Sequence, residues 1–178
     1  MRKLNTVLSV LIIIIFGIHG VMGGFMLIGT GKSAGKVLAW IGVGILAVHA
    51  AIGVYLTVKS LKTAKNTDEK YLRENKVFWA RRASGLAILI LLFFHIGMFG
   101  EVRNGQYILF PFTTTKLITQ LLFIASVAVH ILINIRPLLV SLGIISFKKR
   151  KGDIYLILSV LLLFMSGAVI FYYIGWQS

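Results

Sequence analysis

Five apolar runs, each long enough to cross a lipid bilayer, constrain what this chain can fold into. A membrane-spanning α-helix needs about 20 predominantly apolar residues. The chain of 178 residues is 58% hydrophobic, well above the ~45–50% apolar content of soluble domains. We therefore predict an all-α integral membrane protein with five transmembrane helices in one domain, residues 1–178. The runs cover Leu4 to Ile28, Val37 to Val58, Val77 to Gly100, Thr115 to Ile135 and Ile154 to Ile174.

The distribution of positive charge predicts the orientation of these helices. Fifteen of the 19 Lys and Arg residues fall on one side if the N-terminus is cytoplasmic, and cytoplasmic loops carry an excess of such residues. We therefore expect the N-terminus inside and the C-terminus outside. The net charge of +14 then reflects membrane topology, and we do not expect binding to nucleic acid. The four positive residues on the other side are Lys32, Lys36, Arg103 and Lys116.

Cysteine is absent from the chain, and carboxylates are absent from the interior of the apolar runs. The first absence excludes disulfides, cysteine-ligated iron–sulfur clusters and C-x-x-C-H haem attachment. The second argues against an ion-coupled transporter or a proton pump with a carboxylate relay. Any cofactor must therefore be held without thiols.

Each of the first four runs contains one histidine, and no histidine lies in a loop. Ionisable side chains inside membrane spans are rare and mark functional sites by default. At 1.5 Å per residue, His19 lies about 21 Å and His95 about 25 Å from the inner helix ends. Helices II and IV run the other way, which puts His49 about 15 Å and His130 about 9 Å from the same edge. The histidines sort into an outer pair, His19 with His95, and an inner pair, His49 with His130.

Two levels, each with one histidine from each of two parallel helices, are the arrangement for two stacked haems with bis-imidazole ligation in a four-helix bundle. We therefore expect helices I to IV to form a haem-binding bundle, with helix V peripheral. A single buried histidine is as readily a hydrogen-bonded structural residue, and the pairing in depth is what favours ligation. The glycines around His19, at positions 17, 20, 23 and 24, leave room for a flat porphyrin, but small residues also serve ordinary helix packing in membranes.

Four polar residues of helix III and its outer end are further candidates for the site. Arg81 and Arg82 are either topology determinants or partners of haem propionates, for which a guanidinium fork is suited. The Ser84 hydroxyl can bond a propionate, a quinone carbonyl or its own helix backbone. Glu101 is the acidic residue on the outer side. It is either an ordinary interfacial charge or the proton acceptor for a quinol oxidised near the outer haem.

One segment, Trp79 to Gly97, resembles a helix of a known family. It reads W-x-R-R-x-S-G, followed by an apolar run and His95, and is similar to the haem-binding helix in cytochrome b membrane-anchor subunits of succinate dehydrogenases and fumarate reductases. Five helices, two haem levels and no cysteine are similar to the single-chain dihaem class of those anchors. In that class the ligands come from helices I, II, IV and V, whereas here the histidines lie in the first four helices.

The resemblance implies two haem b groups, a quinone substrate and a bacterial plasma membrane. The quinone that we expect is menaquinone. It also implies that a flavoprotein and an iron–sulfur subunit dock on the cytoplasmic face, with the basic inner loops, such as Lys59 to Lys76, as the docking rim. The chain itself would carry electrons between the quinone pool and these subunits. The alternatives are a cytochrome b anchor of another membrane oxidoreductase, a quinol-to-metal reductase, and a non-haem small membrane transporter or assembly protein.

Overall fold

A computed structural model of the chain describes residues 1–31, 35–65, 75–103, 106–144 and 152–177. All five helices in these residues are long and apolar enough to span a bilayer, which confirms the five predicted spans. The basic segments at 66–74 and 145–151, which we expect to face the cytoplasm, lie outside the described residues. The elements are α1 (Arg2–Leu27), α2 (Lys36–Lys65), α3 (Lys76–His95), β1 (Gly100–Arg103), β2 (Gln106–Leu109), α4 (Thr114–Ser141) and α5 (Gly152–Gln177).

Local capping sets the boundaries of the two helices that flank the strands. The Asn75 side chain accepts a hydrogen bond from the Phe78 N–H at 3.0 Å, and Thr113 caps the start of α4 in the same way. Such caps satisfy backbone donors that have no partner inside the helix. Gly97, just beyond the end of α3, has a φ of +72°, a conformation that favours glycine. The chain therefore leaves α3 and enters α4 at defined residues.

Helix α4 continues through Pro137 to Ser141, six residues beyond Ile135, where the predicted fourth span ends. Proline lacks the N–H that would bond the carbonyl four residues earlier, which is that of Ile133. The guanidinium of Arg81 on α3 donates to this carbonyl instead, with an Nη2–O distance of 3.4 Å. A neighbouring helix thus satisfies the carbonyl that the proline leaves unbonded.

Helix α5 packs against both α1 and α4. On α1 it meets a face of small residues, Gly17, Gly20 and Gly24, where a Cβ at Gly24 would lie 2.5 Å from the Phe164 ring. These glycines therefore serve close helix packing, and the fifth helix is part of the packed core instead of the peripheral helix that we expected. The buried core residues between α4 and α5 are Ile124, Val127, Ile131, Ile135, Leu158, Leu162, Val169 and Tyr172.

A β-hairpin, β1 with β2, closes the end of the helices at which α3 ends and α4 begins. The strands pair antiparallel in the connection between the third and fourth predicted spans, for which we predicted no strand. Phe112, which is 1% exposed, stacks on Phe99 with ring centroids 5.2 Å apart. The Lys116 ammonium donates to the carbonyls of Met98 and Pro111, which flank the hairpin. We call this end of the molecule the hairpin end.

Candidate functional site

His19 of α1 and His95 of α3 lie next to each other. Their ring centroids are 6.0 Å apart, and the ring planes are inclined by 83°. Two imidazoles that bind one metal ion from opposite sides, each through a metal–nitrogen bond of about 2 Å, have centroids roughly 6 Å apart. The two histidines that depth pairs in the sequence are therefore neighbours in space, at a separation suited to shared ligation.

His49 of α2 and His130 of α4 are the second pair that the sequence predicts. Their half-buried rings are close enough to interact electrostatically. The Nδ1 atom of His49 is buried and has no hydrogen-bond partner among the described residues, which is uncommon for a buried polar atom. An imidazole nitrogen in this state is a candidate to bind a group that the chain does not supply.

Gln120 of α4 holds the ring of His95. Its Oε1 lies 2.7 Å from His95 Nδ1, and its Nε2 donates to the sulfur of Met98 at 3.1 Å. Because an amide oxygen can only accept, His95 carries its proton on Nδ1 and leaves Nε2 unprotonated. The sequence reasoning did not select Gln120. The signal that could have identified it is an uncharged amide inside an apolar span.

Ser84 and Gly85 of α3 contact the ring of His130, as Gln120 contacts the ring of His95. The Ser84 hydroxyl donates its one proton to the Ala80 carbonyl at 2.7 Å and lies 3.1 Å from His130 Nδ1. The oxygen therefore accepts from His130 Nδ1–H, so that Nε2 is again unprotonated. A Cβ at position 85 would lie 3.4 Å from His130 Cε1, so Gly85 leaves room for the ring. The S-G step of the motif thus contacts a histidine of the next helix.

The Gln120–His95 contact and the Ser84–His130 contact lie at different levels of the α3–α4 pair. Eleven residues separate Ser84 from His95 along α3, which corresponds to about 16 Å at 1.5 Å per residue. The spacing is wider than the difference of about 11 Å between the mean depths of the outer and inner pairs counted from the sequence. The pair His19–His95 lies toward the hairpin end, and the pair His49–His130 lies toward the N-terminal end of α3.

Both predicted arginines reach neighbouring helices. Arg82 Nε donates to Thr57 Oγ1 of α2 at 3.3 Å, and its guanidinium carbon lies 3.8 Å from the centre of the Phe78 ring. Arg81 is bonded to α4 through Nη2, but its Nε is buried without a hydrogen-bond partner in the described part of the chain. Arg81 also lies within electrostatic range of His130. It is therefore an arginine with a spare donor beside the His49–His130 pair.

The bond from Arg81 to the proline-exposed carbonyl gives a testable coupling. Arg81→Met is expected to destabilise the protein, because a buried acceptor without a partner costs about 1–3 kcal/mol. In a Pro137→Ala background the alanine N–H bonds the Ile133 carbonyl, so the same substitution should cost about 1 kcal/mol less. Thermal unfolding of the four variants in one detergent measures this difference. Equal losses in both backgrounds would contradict the assigned bond.

Glu101 lies in β1, opposite Ile108 of β2, and is half-buried. It follows His95 by six residues and belongs to the hairpin end. The carboxylate is therefore on the same side of the molecule as the His19–His95 pair. Its role as the acceptor of a quinol proton stays a prediction.

Two glycines keep open space one helical turn from a histidine. Gly23 follows His19 by four residues and Gly53 follows His49 by four, so each glycine lies on the histidine face of its helix. A Cβ at either position would meet no heavy atom of the described residues within 4 Å, in contrast to Gly24, which is packed against α5. The histidine faces of α1 and α2 therefore have room for a flat, bulky group.

Comparison of the chain with protein-family models, with curated proteins and with solved structures gives no match. The resemblance to the dihaem anchors therefore rests on the residues of the segment Trp79 to Gly97 and on the four histidines.

Proposed function

We propose that this chain is a dihaem b-type cytochrome, which anchors iron–sulfur and flavoprotein subunits to the membrane and carries electrons between them and a quinone pool. The observation that carries the proposal is the 6.0 Å separation of the His19 and His95 rings. It is supported by the second pair, His49 with His130, at another level. Each pair supplies one bis-imidazole site, as expected for anchors of the succinate dehydrogenase and fumarate reductase type.

The residues at each level fit such a group. His95 and His130 each donate a hydrogen bond from Nδ1–H to a polar side chain, so Nε2 is unprotonated in both. Neutral imidazole is the form that binds a metal. The open turns at Gly23 and Gly53 leave space beside the other two histidines. The haem iron, when bound, supplies one-electron redox chemistry. The chain would supply the histidine ligands and the surrounding helices.

Arg81 is the residue that we assign to the propionates of the haem between His49 and His130. Its buried Nε has no hydrogen-bond partner among the described residues, and guanidinium groups bind carboxylates strongly. Arg82 is engaged by Thr57 and the Phe78 ring, and the Ser84 hydroxyl is engaged by His130 and its own backbone. Of the three residues that the sequence suggested, Arg81 thus retains the capacity for this role.

The charge asymmetry supports an orientation in which the hairpin end faces outward from the plasma membrane of a bacterium. His19 and His95 would then hold the outer haem, and a quinol oxidised beside it, menaquinol in a menaquinone pool, would release its protons on the side of the membrane where Glu101 lies. His49 and His130 hold the inner haem, close to the cytoplasmic subunits. The four histidine-bearing helices surround the two haems, and α5 packs behind α1 and α4.

The proposal is tested by a reduced-minus-oxidised absorption spectrum of the purified protein, with haem counted per chain. We expect two b-type haems per chain and co-purification with flavin- and iron–sulfur-containing subunits. A folded, helical protein without haem would contradict the proposal and favour a non-haem transporter or assembly protein. Two haems with other soluble partners would identify an anchor of a different oxidoreductase.

A further inference from the structure

We infer that Gln120 and Ser84 are positioning residues that tune the two haems separately, each through the Nδ1–H of one ligand histidine. This inference rests on the proposed function and assigns a role that the motif does not contain. Gln120 acts on the His19–His95 level through His95. Ser84 acts on the His49–His130 level through His130.

The two contacts are reciprocal between α3 and α4. His95 of α3 is bonded by Gln120 of α4, and His130 of α4 is bonded by Ser84 of α3. Each ring is therefore fixed relative to the neighbouring helix as well as to its own. Both partners are buried, with 2% of Gln120 and 7% of Ser84 exposed. A buried polar side chain in an apolar span needs such a partner, and in each case a histidine provides it.

Met98 determines which end of the Gln120 amide faces His95. The amide nitrogen donates to the Met98 sulfur at 3.1 Å, which directs the oxygen toward Nδ1 at 2.7 Å. With the amide reversed, Nδ1 would have to accept a hydrogen bond and Nε2 would carry the proton. A protonated Nε2 cannot bind a metal, so this contact selects the ligating tautomer.

A hydrogen-bond acceptor on Nδ1–H also makes the imidazole a more basic ligand. A more basic axial ligand favours ferric over ferrous iron, so it lowers the reduction potential of the haem. The Gln120 oxygen is closer to its histidine, at 2.7 Å, than the Ser84 oxygen is, at 3.1 Å. The larger effect is therefore assigned to Gln120 and to the haem between His19 and His95.

Redox titration of three variants tests the inference, with the two haems followed by absorbance. Gln120→Leu keeps the side-chain size but removes the acceptor, and we expect it to raise the midpoint potential of one haem, the one that His95→Ala removes. It should also weaken retention of that haem, by roughly 10-fold. Gln120→Glu offers a carboxyl acceptor of the same shape. Because burial raises the pKa of a carboxyl, this variant is titrated over a range of pH, and we expect a lowered potential at the same haem once the carboxyl is ionised. Ser84→Ala should raise the potential of the other haem.

Opposite shifts for the two Gln120 variants distinguish tuning from loss of packing, which would move both in one direction. The matched control is Ser166→Ala on α5, a helix without a histidine. It removes a hydroxyl that bonds the Leu162 carbonyl of its own helix and should leave both potentials unchanged. If Gln120→Leu holds no haem at that level, Gln120→Glu decides alone, and an unchanged or raised potential overturns the inference. If the wild-type protein holds two haems but the variants leave both potentials unchanged, the inference is overturned and the proposed function stands. If the wild-type protein holds no haem, both are overturned.

Discussion

Replacing His19 or His95 by alanine is expected to remove the same haem and to leave the other haem in place. Their rings lie 6.0 Å apart, so in the proposed ligation each variant takes away one of the two ligands of a single iron. The chain has no cysteine and cannot hold haem covalently through thiols, so retention depends on the axial ligands. The haem count should fall from two to one per chain, and the His19/His95 double variant should lose no more.

The other two histidines should form a second class. His49→Ala and His130→Ala are expected to remove the remaining haem, and a variant that combines one histidine from each pair should lose both. Haem quantification together with resolved redox titrations assigns each variant to a class. As a control, Ile18→Ala changes an exposed neighbour of His19 and should keep two haems. Any other grouping, such as His19 with His49, would refute the pairing.

Filling the open turn beside a histidine is expected to exclude its haem without removing a ligand. Gly23→Phe places a ring on the His19 face of α1, and Gly53→Phe does the same on the His49 face of α2, where no described atom lies within 4 Å of the added Cβ. Each variant should therefore lose one haem of the two. Because the side chain enters open space, the helical fold should be retained, and circular dichroism with haem quantification checks both parts.

The controls for this prediction are phenylalanines at exposed positions next to the two glycines or histidines. Ile18→Phe and Val54→Phe change side chains that are exposed on the protein surface, so both haems should remain. Retention of two haems in Gly23→Phe and Gly53→Phe would show that the space at these glycines faces lipid and is not used by the haems.

The five helices could be predicted from the sequence because the thickness of the bilayer fixes the length of an apolar run. The depth of each histidine could be predicted as well, since helical rise converts residue number directly into distance. Both properties belong to single helices. His19 and His95 lie at one level for this reason, whereas the contact between their rings also depends on how α1 and α3 pack, which depth alone does not determine.

The contacts between helices could not be derived in this way, because they depend on which faces meet. The glycines near His19 were expected to leave room for a porphyrin. In the structure Gly20 and Gly24 pack against α5, and only the space beside Gly23 among these three is not filled by described residues. The role of Gln120 follows from its hydrogen bond with His95 on another helix, which the sequence does not reveal. The hairpin is a different case, since an Asn-Gly step at residues 104–105 between two alternating segments is a recognised hairpin signal that our interpretation overlooked.

Each histidine pair joins one helix of the first half of the chain, α1 or α2, to one helix of the second half, α3 or α4. A haem bound by both histidines of such a pair would hold the two halves of the chain together. Because a ligand that binds only the assembled form stabilises it by mass action, assembly of the helices becomes coupled to the supply of haem. Cells short of haem are then expected to contain less of this protein in the membrane, through degradation of chains whose halves are not held together.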